Sequence, residues 1–300
     1  MGLHWDDMRI FLAVARGDSL SAAGRALRMD AATVGRRIAR LEETMGTALF
    51  AKSPQGYALT EAGTRMLRHA EEAEQAFSLA SEAVQGHAEG LSGQIRIGAP
   101  DGCANFLLPQ VCASIVEENP DLDVQIVALP RVVNLSRREA DMAISVSPPT
   151  SGRLLVQKIS DYKLHLAASR DYIHRAPPIL GVEDLPQHPF VGYIPDMIFD
   201  KELDYLDELG LRDVRLASNS VSVQFHWLRH GAGLGIVHDF ALPLAPRLRR
   251  VLVDEVSLTR SFYLVRHADD KRLERQNRFA AALVKGLREE LQRLEGQAGA

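Results

Sequence analysis

Thr33, Arg36, Arg37 and Arg40 stand at i, i+3, i+4 and i+7, a spacing that puts all four side chains on one face of a helix. A guanidinium offers a planar fork of donors that can bridge guanine O6 and N7 or grip a phosphate. Three of them on one face suit a helix lying in a DNA major groove. A solvated charged face would show the same spacing, so the neighbouring elements must decide. The opposite face, Val34, Ile38, Leu41 and Met45, repeats at i, i+4, i+7 and i+11 and is expected to face the core. Asp30 is a good N-cap for this helix, with Ala31 and Ala32 in its first turn.

The elements that must position this face lie within residues 5–60. A first helix over residues 5–15 would bury Met8, Phe11, Leu12 and Ala15, ending at Gly17-Asp18. Ser19 then caps a short helix whose narrow face carries Ala22, Ala23, Ala26 and Leu27. Small residues there allow the next helix to cross closely beyond the break at Arg28-Met29-Asp30, as a helix-turn-helix requires. After Gly46, Leu49-Phe50 and Tyr57-Ala58-Leu59 flank Lys52-Ser53-Pro54-Gln55-Gly56, which reads as a hairpin with turn residues at its tip. As a wing it would bring Lys52, Ser53 and Gln55 to phosphates or the minor groove; a plain surface hairpin is the alternative.

Phe11-x-x-Val14, Ser19-Leu20-Ser21-x-Ala23, Leu27, Val34-Gly35-Arg36-Arg37-Ile38 and Leu41-Glu42 follow in one register. Gly46, Leu49-Phe50 and Leu59-Thr60-Glu61-Ala62-Gly63 continue it. This run resembles the N-terminal domain of LysR-type transcriptional regulators. The resemblance implies a DNA-contacting set of Ser21, Ala32, Thr33, Arg36, Arg37, Arg40, Lys52, Ser53 and Gln55. Two positions depart from the family: Ala31 stands where Gln is common, and Gly35 where Ser is common. More of the recognition then falls to Thr33, Arg36 and Arg37.

Composition sets the bounds. The chain has 300 residues, 46% hydrophobic and 25% charged, with a net charge of −4, as in an ordinary globular protein of two or three compact units. Overall charge does not advertise nucleic acid, but its distribution does. Arg25, Arg28, Arg36, Arg37, Arg40 and Lys52 face only Asp30, Glu42 and Glu43 over that stretch. No run approaches the roughly 18 apolar residues of a membrane span. The N-terminus lacks signal-peptide form, and two cysteines fit a reducing compartment. A cytoplasmic protein without membrane partners is expected.

A long helical run, residues 61–88, follows without proline, about 40 Å at 1.5 Å per residue. Its stripe, with Met66, Leu67, Ala70, Ala73, Phe77, Leu79, Ala80 and Val84, needs a partner; the resemblance implies the same helix of a second subunit, in a homodimer or homotetramer. Gly86, Gly90 and Gly93 mark a hinge. From residue 94 the pattern alternates strands and helices: strands at 94–98, 124–129 and 141–146 and a helix at 106–118, arguing an α/β sheet of mostly parallel strands. A second lobe would follow, with a helix at 201–209 and strands at 215–218 and 235–238. The chain would return to the first lobe near 262–266 and close with a helix carrying Phe279, Leu283, Leu287, Leu291 and Leu294. The expected domains are a winged helix-turn-helix at 1–60, a linker helix at 61–90 and an effector domain at 91–300. Its lobe 1 would span about 91–160 and 266–300 and lobe 2 about 161–265. The resemblance implies a two-lobed α/β domain like a type 2 periplasmic binding protein.

In such domains strand ends and helix N-termini face the crevice, where free N–H groups favour an anion. The candidate effector residues are Asp101, Gly102 and Cys103 after the first strand, Ser145 and Ser147 before the lobe change, and Asn219 and Ser220 before a helix. Each also serves as an ordinary cap or turn residue. Asp101 would repel a carboxylate unless paired, so it turns away or signals an amine-bearing or polar effector. Other motifs fall away. Gly231-Ala232-Gly233-Leu234-Gly235 follows a helix and precedes a strand, the reverse of a dinucleotide loop, and reads as a helix end. His226 and His230 have metal-ligand spacing with no cysteine or carboxylate beside them in sequence. Cys103 and Cys112, if on one helix, point to opposite faces, which favours packed thiols over a disulfide. No catalytic motif, cofactor or metal site is expected. The reading is a DNA-binding transcriptional regulator modulated by a small molecule, a carboxylate or polar metabolite. Its rival is a two-lobed binding or catalytic protein whose N-terminus serves only assembly.

Overall fold

The computed structural model describes residues 2–53, 56–85, 90–128, 140–150, 152–210 and 214–298. They fall into two compact units that divide between residues 89 and 90.

The first unit opens with α1 (Trp5–Gly17), α2 (Leu20–Leu27) and α3 (Ala31–Met45). Phe11, Val14, Ala23 and Val34 are fully buried where the three helices meet, with Leu12, Ile38 and Leu41 beside them. Local chemistry sets each boundary. Ser19 Oγ accepts from the Ala22 N–H and Asp30 Oδ1 from the Thr33 N–H, so both helices start on a side-chain cap. Between them the Met29 N–H donates to the Gly24 carbonyl. A Cβ on Gly24 would stand 2.6 Å from the Met29 oxygen, so the close approach is made at Gly24 and Ala23. Ala26, expected on that inward face, is exposed. Met45 is also a correction, 43% exposed, because the last turn of α3 runs past the core before Gly46 ends it in the left-handed region.

A hairpin of β1 (Phe50–Ser53) and β2 (Gly56–Leu59) follows, antiparallel with Phe50 opposite Leu59. Glu42 Oε1 accepts the N–H groups of both Leu49 and Phe50, tying the hairpin to α3. The Thr60 hydroxyl accepts from the Gly63 N–H at the start of α4 (Glu61–Gln85) and donates to the Ala48 carbonyl. A Cβ on Gly63 would stand 2.0 Å from the Leu49 oxygen, so the backbone approach at this helix start requires glycine. Arg16 grips Glu74 at 2.7 and 3.0 Å, and Trp5 stacks on Phe77 at 4.5 Å, fastening α4 to α1. Phe77 nevertheless stays 55% exposed. The end of the expected linker helix, with Gly86, lies outside the described residues.

The second unit is built on one mixed sheet, in the order β10-β6-β11-β5-β3-β4 with β9 also paired to β6. Its strands are β3 (Gly93–Ala99), β4 (Leu122–Ala128), β5 (Met142–Ser145), β6 (Leu154–Ser169), β9 (Gly235–His238), β10 (Leu248–Arg250) and β11 (Ser257–His267). Parallel pairing holds only for β3 with β4 and β5, and for a separate pair, β7 (Phe190–Gly192) with β8 (Val214–Ala217). The expectation of mostly parallel strands fails because β6 and β11 form a long antiparallel ribbon. One end of that ribbon carries β5, β3 and β4 (lobe 1); the other carries β9 and β10 (lobe 2). A bulge at Phe262/Tyr263 marks the passage.

The expected helix at 106–118 is α6 (Leu108–Glu118), preceded by a short helix that the sequence pattern did not show, α5 (Asp101–Phe106). Leu107 leaves the helical region just before Pro109, which sits in the first turn of α6 where its missing N–H costs nothing. The expected helix at 201–209 is two 3₁₀ turns, Lys201–Leu203 and Asp207–Leu209, with residues 204–206 between them outside any helix. Lobe 2 also holds α7 (Arg170–Arg175) and α8 (Val221–Arg229), and Gly231 follows α8 at φ +76°. The closing helix α9 (Glu274–Ala298) buries all five expected apolar residues. It packs on α6 of lobe 1 and on the turn Asp239–Leu244 of lobe 2.

Gly24→Ala forces the α2–α3 turn apart; it is expected to cost about 1–3 kcal/mol, read as a lower urea midpoint for the first unit.

Candidate nucleic-acid interface and effector site

Arg36 is exposed on α3; its Nη2 donates to Thr33 Oγ1 at 2.8 Å, and the Thr33 hydrogen bonds, joined by the Arg36 charge, hold the Asp30 carboxyl below its ordinary range. Arg37 and Arg40 are placed differently. Both reach back to Asp7 of α1, Arg37 Nε at 3.1 Å and Arg40 Nη2 at 3.2 Å. Asp7 is only 6% exposed, so the pair of guanidiniums neutralises a carboxylate withdrawn from water. Each arginine keeps part of its surface open, 32% for Arg37 and 43% for Arg40. They therefore fix the angle of α3 against α1 while presenting positive charge outward. Sequence spacing showed their shared face but not Asp7; the Asp6-Asp7 pair before the apolar Met8 was the available signal, with nothing to say which carboxylate turns inward.

Ala32 and Ser21 are exposed near the start of their helices. Lys52 is exposed on the hairpin, its Nζ 5.8 Å from the Tyr57 ring. Ser53 closes β1 opposite Gly56, while Gln55 lies outside the described residues. At Gly35 an added Cβ would stand 3.1 Å from Leu20 Cδ1, so this departure from the family pattern coincides with tight packing between α2 and α3.

In the second unit, Asp101 is paired. Its Oδ2 accepts from Ser220 Oγ at 3.1 Å and from the Ser222 N–H at 3.0 Å, at the N-terminus of α8. Its Oδ1 accepts from Asn105 Nδ2 at 3.2 Å. A lobe 1 carboxylate thus occupies the positive end of a lobe 2 helix. Ser147 Oγ makes a second stitch across the lobes, donating to Asp200 Oδ2, while Ser145 Oγ donates to the Ser147 carbonyl at 2.7 Å. Gly102 is buried against His238, and Asn219 is half-buried just ahead of α8. Cys103 is fully buried, so it stands in the core. Cys103 lies on α5 and Cys112 on α6, which replaces the expectation of opposite faces on one helix. Both thiols are free; burial pushes Cys112 up to about 12 and Cys103 higher still.

Sequence reasoning missed the aromatic group at this junction. Tyr162 of β6 stacks on Phe262 at 4.1 Å and on His238 at 5.5 Å, and Tyr205 meets His238 edge-on at 6.2 Å. The hydroxyls of Tyr162 and Tyr205 and Nδ1 of His238 are buried without a hydrogen bond of good geometry among the described residues. Burial drives the His238 pKa down to about 3 and the Tyr162, Tyr193 and Tyr205 hydroxyls up, so all four are uncharged at neutral pH. Their only signal in the sequence is composition, because the four come from separate segments.

A helix-turn-helix with a wing, joined to a two-lobed α/β domain crossed by an antiparallel ribbon, is the architecture of a ligand-responsive transcriptional regulator. "Bacterial regulatory helix-turn-helix protein, lysR family" matches residues 5–64 and "LysR substrate binding domain" matches residues 88–288. The chain belongs to the LysR-type transcriptional regulators. Among relatives, it is 26% identical over 239 residues to the transcriptional activator TtdR of Escherichia coli, covering 76% of this chain and 75% of that one. It is 24% identical to the regulator PtxR of Pseudomonas aeruginosa, covering 79% and 77%. Its fold is similar to a full-length OxyR variant from Pseudomonas aeruginosa, with TM-score 0.71 and 17% identity over 96% of this chain and 95% of that one. LysG of Corynebacterium glutamicum, solved with bound effector Arg, gives 0.62 and 17% over 96% and 99%. These relatives carry the names of regulators, and the assembly-module reading of the N-terminus is set aside. No helix among the described residues is long and apolar enough to cross a membrane.

Asp7→Asn is expected to destabilise the first unit by about 1–3 kcal/mol. Combined with Arg40→Met it should cost less than the sum of the two, measured by urea unfolding. A second expectation concerns pH. The folded pKa of His238, about 3, lies below the 6.5 of a free imidazole, so the unfolded chain takes up the proton first. Its contribution to stability is complete above pH 6.5 and declines as pH falls toward 3, by up to about 1.4 kcal/mol per unit. His238→Gln should flatten that slope in denaturation curves between pH 5 and 7.

Proposed function

We propose that this protein binds operator DNA through α3, with Arg36 and Thr33 reading base edges and Arg37 and Arg40 meeting phosphates. The exposed Arg36 on a capped helix, beside the two arginines anchored to Asp7, carries this reading. Ser21, Ala32, Lys52, Ser53 and Gln55 complete the contact set from the α2 start, the α3 start and the wing. Two or more subunits engage two half-sites, paired through α4, whose exposed Phe77 is the apolar residue left for a partner. The protein acts in the cytoplasm and performs no catalysis of its own.

The effector binds in the second unit, where Asp101, Ser147, Ser220 and Asp200 join the lobes. A small molecule that binds one lobe arrangement better than another shifts the balance between them and so alters DNA affinity. Gly102, Cys103, Ser145 and Asn219 line or support the same junction.

Footprinting the DNA upstream of the protein's own gene tests the first part. Two protected patches one or more helical turns apart are expected. Arg36→Ala should weaken that binding by about 1–3 kcal/mol and relax sequence preference, whereas Arg37→Ala or Arg40→Ala should weaken it on all sequences and reduce the salt slope. An Arg36→Ala protein with unchanged affinity and preference would sink the assignment of α3.

A further inference from the structure

Beside the lobe junction, within lobe 2, lies a cavity of about 240 Å³, room for a compact, single-ring molecule. Tyr193 and Tyr205 wall it as an edge-to-face pair 5.9 Å apart, with Leu206 and Gln224 beside them. Asp204 and Asp207 complete the lining, and among the described residues no lysine, arginine or histidine lines it. Tyr205 is only 5% exposed, and its hydroxyl lacks a hydrogen-bond partner of good geometry. Asp101 and Asp200 add negative charge close to Tyr193 and Tyr205. Arg260 lies 6.0 Å from the Tyr205 ring centroid and is held by Glu202 at 2.8 Å.

The seat that a carboxylate ligand would take at the N-terminus of α8 already holds Asp101 Oδ2. An anion in the neighbouring cavity would meet Asp204 and Asp207 with no cation lining the wall among the described residues. An ammonium group, by contrast, finds carboxylates and the aromatic wall of Tyr193 and Tyr205. We propose that the effector is an amine cation on a compact apolar body, seated in this cavity with its ammonium toward Asp204 and its body against Tyr193 and Tyr205. The inference rests on the regulator reading above and names its ligand class. Asp101 then acts as the chain's own anion, fixing lobe 1 to α8 beside the bound amine.

Titration calorimetry of the full chain with benzylamine, benzyl alcohol and benzoate tests it, since the three share one ring and differ in charge. Saturable binding of benzylamine, weaker binding of benzyl alcohol and none of benzoate are expected. Asp204→Asn should weaken benzylamine at least tenfold while leaving benzyl alcohol within twofold; Asp207→Asn provides a second variant with the same expectation. Benzoate binding as tight as benzylamine, no saturable benzylamine binding, or an unchanged amine affinity in both variants would each overturn the proposal. A footprint of the unliganded wild-type chain runs alongside. Protection without amine binding refutes the ligand class alone, and amine binding without protection refutes the regulator reading.

Discussion

A carboxylate taken out of water must be met by donors, and both units are arranged around that requirement. In the first, Asp7 is buried at the α1–α3 contact and is met by Arg37 and Arg40. In the second, Asp101 is met by Ser220 and the backbone of α8, and Asp239 by His165 at 2.8 Å and Arg250 at 3.3 Å. Leaving any of these unpaired costs more than the pair contributes, so each specifies which elements lie together more strongly than it adds net stability.

That arrangement divides the labour on the recognition helix. Arg37 and Arg40 are held against Asp7, while Arg36 stays exposed with a side-chain hydrogen bond to Thr33 one turn earlier. Glu42, on the far side of α3, holds the start of the wing through two backbone N–H groups. One helix thus receives its tilt from Asp7 and passes register to the hairpin through Glu42.

In the effector unit the β6–β11 ribbon lets two lobes share one sheet, and the bulge at Phe262/Tyr263 is where the shared sheet changes lobe. Side chains that bridge the lobes, Asp101 to α8 and Ser147 to Asp200, join them without taking part in the ribbon's ladder. Neutral, buried Tyr162 and His238 pack between them. This gives a low-cost route for lobe movement about a continuous strand pair.

Much of this was written locally. Periodicity of 3.6 placed Val34, Ile38 and Leu41 inside and the arginines outside; Ser19, Asp30 and Thr60 declared helix starts; the N-terminal register identified the family. These features survive because caps and amphipathic faces depend on residues within one or two turns. Where local signals were thin, they misled: the short α5 ahead of the expected helix went unread, and a nine-residue segment before Gly210 became two 3₁₀ turns. The antiparallel ribbon was hidden because alternation of side chains marks a strand without naming its neighbour. Tertiary structure alone decided that Arg37 and Arg40 answer Asp7, about thirty residues earlier, that Asp101 caps a helix 119 residues later, and that four aromatic residues from separate segments meet at the lobe junction. Periodicity states which face of an element is buried, whereas the group that lies across from it is chosen by packing of the whole chain.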